Sequence, residues 1–348
     1  MSFLSRLRAF GSTRSRRPTS ADSNGSPAVA APAPSSASAT PIDPQALMRI
    51  KSLQVRARVT VEGFLRGLHR SPYHGFSVEF SEYREYTPGD DPRYLDWRLF
   101  ARSDRYFIKR FEDETNLRCY LVLDTSRSMG YRSAGYSKGE YARTLAATIA
   151  YFLSTQRDAV GLLTFEDRIT EYLPPRHRPG HLRRLMGLLE REPAGKATDL
   201  AGPLEQIAAT VRKRGLVILI SDLLAPIGTF QKRLGYLRSR GHDVVVLRIV
   251  DPAEADFRFE TSAMFRDAES GREIYVDPAS ARAAYLRRFA AHAEQIKQAC
   301  VDLGIEYESI TTDTPLELVL FDLLKARMRR SRRPNRGMGA GRGGGGAR

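Results

Sequence analysis

An aspartate and two serines alternate at the end of an apolar run: Tyr-Leu-Val-Leu (120–123) leads into Asp124, Ser126 and Ser128, and Gly130 closes the segment. A second apolar run, LVILI (216–220), ends in Ser221 and Asp222, and the segment GKATDL supplies Thr198 and Asp199. These are carboxylates and hydroxyls, with neither cysteine nor histidine among them. Hard oxygen donors of this kind suit Mg²⁺, which prefers octahedral geometry and keeps several waters, and Mn²⁺ is an acceptable substitute. Neutral hydroxyls balance little of a cation's charge, so such a site favours one further anionic oxygen from outside. The plainer reading of Asp124, Ser126 and Ser128 is a capping turn that starts the next helix. For Asp199 the cap is favoured, since LAGPLEQIAATV follows it with helical spacing.

The elements that must position these groups follow from periodicity. From Arg118 onward, short apolar runs alternate with amphipathic stretches. CYLVL, AVGLLTF (159–165), LVILI and DVVVLRI (243–249) read as strands, and 140–156, 200–214 and 230–240 as helices. This order predicts an α/β domain: a doubly wound, mostly parallel sheet with helices on both faces, Rossmann-like in layout. In such sheets ligands gather at the carboxyl ends of the strands, which is where Asp124 and Asp222 fall. FRFETSAMFRDAESGREIYVDP reads as a hairpin turning at Glu269-Ser270-Gly271, followed by a long helix (278–303), a strand (305–310) and a last helix (315–327). Upstream, 46–68 is compatible with helix or strand, whereas GFSVEFSEYREY (75–86) and RYFIKRFEDE (105–114) read as strands of a smaller mixed module. The expected domains are a Ser/Ala/Pro-rich basic tail (1–45) without an ordered core, a front module (46–116), the α/β domain (117–328) and an Arg/Gly-rich tail (329–348).

The net charge of +15 sits mostly in the tails. Residues 1–40 carry five Arg against Asp22, or +4, and residues 325–348 carry one Lys and eight Arg with no acid, or +9. The body is left with 15 − 13 = +2, so contact with nucleic acid or acidic lipid is expected, if anywhere, through the tails. The two cysteines, Cys119 and Cys300, form no CxxC pair and suggest neither a disulfide framework nor a thiolate metal site. No apolar run is long enough to span a membrane, and the N-terminal MSFLSRLRAFGSTRSRR lacks the apolar segment of a secretory signal; a cytoplasmic location is expected.

Other chemistries fit less well. A metal-dependent phosphohydrolase using Asp124 and Asp222 is the main enzymatic alternative, but the position two residues after Asp124, where an acid would protonate a leaving group, is Ser126. GKAT lacks both the earlier Gly and the following Ser/Thr of a phosphate loop, and no GxSxG elbow frames the serines. His177 and His181 are four apart, but Pro179 and Gly180 between them predict loop histidines in place of a zinc-binding helix.

Asp124-Thr125-Ser126-Arg127-Ser128, with Thr198 and Asp222, resembles the metal-ion-dependent adhesion site of von Willebrand factor type A domains. That resemblance implies that Ser126, Ser128 and Thr198 bind the ion directly, that Asp124 and Asp222 act mainly through water, and that a partner's Asp or Glu completes the coordination. The string EYREYTPGDDPRYLDWRLFARSDRYFIKRFEDE (82–114) is similar to the stretch preceding such a domain in the bacterial family called domain of unknown function 58. Proteins of that family are often encoded beside MoxR-type AAA+ ATPases, so the resemblance implies a non-enzymatic adaptor or co-chaperone with such an ATPase as partner.

Overall fold

The computed structural model describes residues 41–70, 83–85, 107–109, 117–191, 201–211, 213–267 and 271–331. Most of the front string, including Asp90 and Asp91, the tail residues 1–40 and 332–348, and Thr198 with Asp199 lie outside the described residues.

In chain order, helices α1 (Pro44–Met48) and α2 (Leu53–Arg70) come first, so the stretch that periodicity left open is helical. Strands β1 (Tyr83–Glu85) and β2 (Phe107–Lys109) form an antiparallel pair within the two front segments read as strands. There follow β3 (Arg118–Asp124), a single 3₁₀ turn at Arg127–Gly130, α3 (Lys138–Thr155), β4 (Ala159–Phe165), β5 (Ile169–Arg176), α4 (His181–Leu189) and α5 (Ala201–Thr210). The chain continues with β6 (Leu216–Ser221), α6 (Ile227–Ser239), β7 (Asp243–Val250), α7 (Pro252–Asp256), the antiparallel hairpin β8 (Ala263–Arg266) and β9 (Glu273–Val276), α8 (Pro278–Asp302), β10 (Glu306–Thr311) and α9 (Leu316–Ser331).

Six strands form one mixed sheet in the order β10-β7-β6-β3-β4-β5, parallel except for β5 at the edge. Successive residues of β3 point to opposite faces, as strand geometry requires. Leu121 and Leu123 enter a core built with Leu47, Ala57 and Phe64 from α1 and α2, Leu145 from α3, Leu185 from α4 and Leu320 from α9. Tyr120 and Val122 enter a second core with Leu204 of α5, Phe230 and Leu234 of α6, and Ile296 and Cys300 of α8. Helices therefore cover both faces of a mostly parallel sheet. Residues 47–64 share the first core, so this part of the chain is built into the main body. Cys119 and Cys300 form no disulfide and are buried in different cores. Among the described residues no helix is long and apolar enough to cross a membrane.

The sequence reading missed β5. Its ITEYLPPR carries Pro174 and Pro175, which cannot donate to a ladder and argue against a strand; an edge position with a bulge accommodates them. Gly161 on β4 makes room for this strand, because a Cβ there would lie 2.7 Å from both the Leu173 carbonyl oxygen and the Pro175 nitrogen. His181 also differs from expectation. It is the first residue of α4, buried, with Nε2 donating to the Val160 carbonyl at 2.7 Å. Burial, together with the nearby Arg178, Arg176 and Arg184, lowers its pKa. Gly180, at φ 78°, turns the chain into the helix, which explains how His181 reaches the core only one residue after two breakers.

Candidate functional site

β3 and β6 are adjacent and parallel, with Leu123 opposite Ile220, so Asp124 and Ser221 emerge side by side at the strand ends. Asp124 is 1% exposed. Its Oδ1 accepts from the Ser126 backbone N–H at 2.9 Å, and its Oδ2 accepts from Ser221 Oγ at 2.5 Å. The loop beyond it is pinned to β4, where the Phe165 carbonyl accepts from both the backbone N–H and the hydroxyl of Thr125, each at 2.9 Å.

The capping reading of these residues is half right. Asp124 does stabilise the turn, but Ser126, in the N-cap position of the 3₁₀ turn, makes no side-chain cap hydrogen bond. Its hydroxyl instead lies 3.1 Å from that of Ser128, and both side chains are buried. Two hydroxyls are thus gathered at one point beside a buried carboxylate.

Asp222 is the next residue after β6 and is also buried. Leu223, which follows, adopts a left-handed φ of 53°, a strained backbone for a side chain of this shape. It is held from both sides: its N–H donates to Ser221 Oγ at 3.1 Å, and its carbonyl accepts from His292 Nε2 at 2.9 Å. Burial first, then the charge of Asp222, pushes the pKa of Asp124 up to about 7. Two carboxylates drawn into one dry corner destabilise each other unless a cation is near.

One such cation belongs to the chain. Lys138 Nζ lies 3.0 Å from Asp222 Oδ2 and 2.9 and 3.0 Å from the two carboxylate oxygens of Glu254 on α7, and its side chain is fully buried. Burial pulls the pKa of this ammonium down, but Asp222 and Glu254 together outweigh it and raise the pKa above the ordinary lysine value. Around it, Glu254 closes a capping box with Asp251, and Asp251 in turn accepts from the backbone and hydroxyl of Ser133 in the loop after the serines. Arg248 is buried as well, its Nε donating to the Asp222 carbonyl at 3.2 Å while its guanidinium lies over Phe289, 4.8 Å from the ring centre.

The structure therefore brings together Asp124, Ser126, Ser128 and Asp222, while Thr198 lies outside the described residues. Lys138, Glu254, Asp251 and Arg248 were not foreseen. One signal was available: a lysine in the first turn of a helix opposes the helix dipole and calls for a specific anion. Another was the Asp-Pro-Ala-Glu spacing at 251–254, a capping-box pattern.

Among the described residues no group of three or more His, Cys, Asp or Glu is placed to hold a metal ion. Any ion here would rest on hydroxyls and two carboxylates. The donor types are compatible with a hard cation on that basis, since the paired serine hydroxyls present oxygen at one point beside buried Asp124 and Asp222.

Comparison with known proteins places the chain in a family. An uncharacterised protein of Mycobacterium tuberculosis (strain H37Rv) is 29% identical over 276 residues, covering 78% of this chain and 86% of its own. An uncharacterised protein of Mycobacterium avium is 29% identical over 156 residues, covering 44% of this chain and 90% of its own. Among solved structures, the conserved hypothetical protein BatB from Bacteroides thetaiotaomicron aligns with a TM-score of 0.42 at 17% identity, over 61% of this chain and 99% of that one. An aerotolerance-related membrane protein from Bacteroides fragilis aligns with a TM-score of 0.42 at 18% identity, over 62% and 99%. The family described as protein of unknown function DUF58 matches residues 82–295. That span is more than half of the chain, and the protein belongs to the DUF58 family.

Proposed function

We propose that this protein is a non-enzymatic interaction module that binds a divalent cation at its strand ends and captures an acidic residue of a protein partner. Asp124, Ser126, Ser128 and Asp222 would hold the ion, with Thr198 as the fifth group that the likeness to adhesion sites implies. Mg²⁺, or Mn²⁺ in its place, would supply a Lewis-acidic position for the partner's carboxylate. The observation that carries this reading is the pair of buried hydroxyls, 3.1 Å apart and engaged in no helix cap, beside a buried Asp124. Lys138 takes Oδ2 of Asp222, so Oδ1 would be the oxygen of that carboxylate left for an ion or its water.

The phosphohydrolase reading is disfavoured by the same geometry. Both oxygens of Asp124 are engaged, by the Ser126 N–H and the Ser221 hydroxyl, so the carboxylate is poorly prepared to attack phosphorus. A MoxR-type AAA+ ATPase in the cytoplasm is the partner we favour, on the family resemblance of the front string.

Calorimetric titration of MgCl₂ and MnCl₂ into the wild type, Asp124→Asn and Ser126→Ala/Ser128→Ala tests the ion site. Binding that both variants lose, and that chelator reverses, is expected. No binding of either ion to the wild type, or equal binding by all three proteins, refutes the reading.

A further inference from the structure

The near-neutral body conceals a polar distribution of charge. In a parallel sheet every strand starts at the same edge, so residues scattered along the sequence are brought into one row. Arg118 opens β3, Arg157 lies two residues before β4, and Arg176 ends the antiparallel β5 opposite Val160 of β4. Lys213 and Arg214 precede β6, and Arg240 precedes β7. The starts are in direct register: the Ala159 N–H donates to the Leu117 carbonyl at 2.9 Å and the Asp243 N–H to the Gly215 carbonyl at 3.0 Å. A Cβ on Gly241 would lie 2.9 Å from Arg214 Nε, which seats that guanidinium beside the start of β7. With neighbouring strands about 4.8 Å apart, the row from β7 to β5 runs about 19 Å.

The acids on this edge are fewer than the cations: Asp158 is buried and shares a cavity with Arg176 and Arg178, Asp243 is paired with Arg238 at 3.2 Å, and Asp302 and Glu306 lie at the start of β10, beyond the β7 end of the row. Among the described residues Arg176, Arg178, Lys213 and Arg214 form no ion pair, and all four are exposed. The carboxylates of the candidate ion site, Asp124, Asp222 and Glu254, lie at the opposite edge. One end of the row also carries an aromatic plate: Tyr236 on α6 is 51% exposed, and the Arg240 guanidinium lies 5.4 Å from its ring centre.

We propose that this strand-start edge binds single-stranded nucleic acid, with the cation row following the phosphates and Tyr236 stacking on a base. Guanidinium groups match phosphate oxygens in a fork geometry, and the combination of a cationic track with an exposed aromatic suits single strands more than a lipid surface or an acidic peptide. The assignment is independent of the ion site and of the Arg-rich tails.

Binding of a fluorescein-labelled oligouridylate to the full chain, followed by anisotropy over a range of salt, tests it. The tails are present in every protein compared and set a common background, so the differences between variants report the body. Neutralising Arg176, Arg178, Lys213 and Arg214 to Gln should flatten the slope of log affinity against log salt by about 3, at roughly 0.7 for each phosphate that the protein no longer neutralises. Tyr236→Ala should weaken binding roughly tenfold with the slope retained. Thermal melting confirms that each variant is folded, and the Arg176→Gln/Arg178→Gln pair alone, with a slope change half as large, serves if the fourfold variant is not. Slopes and affinities equal to wild type overturn the proposal. So does an effect seen only with phosphatidylserine vesicles or polyglutamate, or a Tyr236→Ala protein that binds the oligonucleotide as tightly as wild type.

Discussion

Replacing Lys138 by Met removes a charge from the driest part of the site while keeping most of the side-chain volume. The side chain is fully buried, and its ammonium contacts Asp222 at 3.0 Å and Glu254 at 2.9 Å, so the variant leaves two carboxylates without the one cation they share. Breaking a buried ion pair by deleting one partner costs about 3–5 kcal/mol. For a domain of about 150–250 residues each kcal/mol moves Tm by about 2–4 °C, so Lys138→Met should melt about 6–20 °C below wild type. Glu254→Gln in the same chain removes one of the stranded charges and should recover part of that loss. Calorimetric or circular dichroism melts of the wild type, the single and the double variant at neutral pH, with chelator and then with saturating Mg²⁺, measure each of these effects. If an ion binds beside Asp222, Mg²⁺ should raise the Tm of Lys138→Met more than that of wild type, because the ion replaces a missing positive charge. A single variant melting within about 2 °C of wild type in chelator would show that the triad does not hold this corner together. Equal Mg²⁺ responses in the two proteins would separate Lys138 from the ion.

Other outcomes follow from individual contacts. Burial, with the charge of Asp322, pushes Glu308 on β10 up to about 7. A carboxyl whose pKa is higher in the folded chain than in the unfolded one favours folding when protonated, so stability should fall as pH climbs from about 4.5 to about 7 and level off above that. Glu308→Gln should lose that part of the slope in melts across this range; an unchanged slope would exclude Glu308 as its source. Gly161→Ala would press a methyl group against backbone atoms of β5 at 2.7 Å, and overpacking of this kind costs about 1–3 kcal/mol. Its Tm should drop by several degrees, with amide exchange of 169–176 faster than in wild type. Phe289→Leu removes the ring under the buried Arg248 and should cost about 2 kcal/mol in urea unfolding; no change in midpoint would mean that the guanidinium is held by its Asp222 carbonyl contact alone.

Much of the molecule was legible because its signals are local. Apolar alternation and length marked β3, β4, β6, β7 and β10, and helix spacing marked α3, α6, α8 and α9 to within a few residues. A residue just beyond a buried strand must lie at the sheet's carboxyl edge, so Asp124 and Asp222 could be placed together from their positions in the chain. β5 could not, since its two prolines speak against a strand and only the neighbouring β4 with Gly161 shows how an edge accepts them. The triad was hidden for a different reason. Lys138 meets partners 84 and 116 residues away, and no local pattern reports a contact of that span.

Residue types and spacing thus determined by themselves the layered α/β architecture and the oxygen-rich corner at the strand ends, because period, turn chemistry and burial act over a few residues. Only the tertiary structure decided which cation faces Asp222 and how the body's charge is distributed. A sum of +2 says nothing about direction. The sheet imposes one, gathering exposed Arg and Lys side chains from several segments at the edge where the parallel strands begin, while Asp124 and Asp222 emerge where they end.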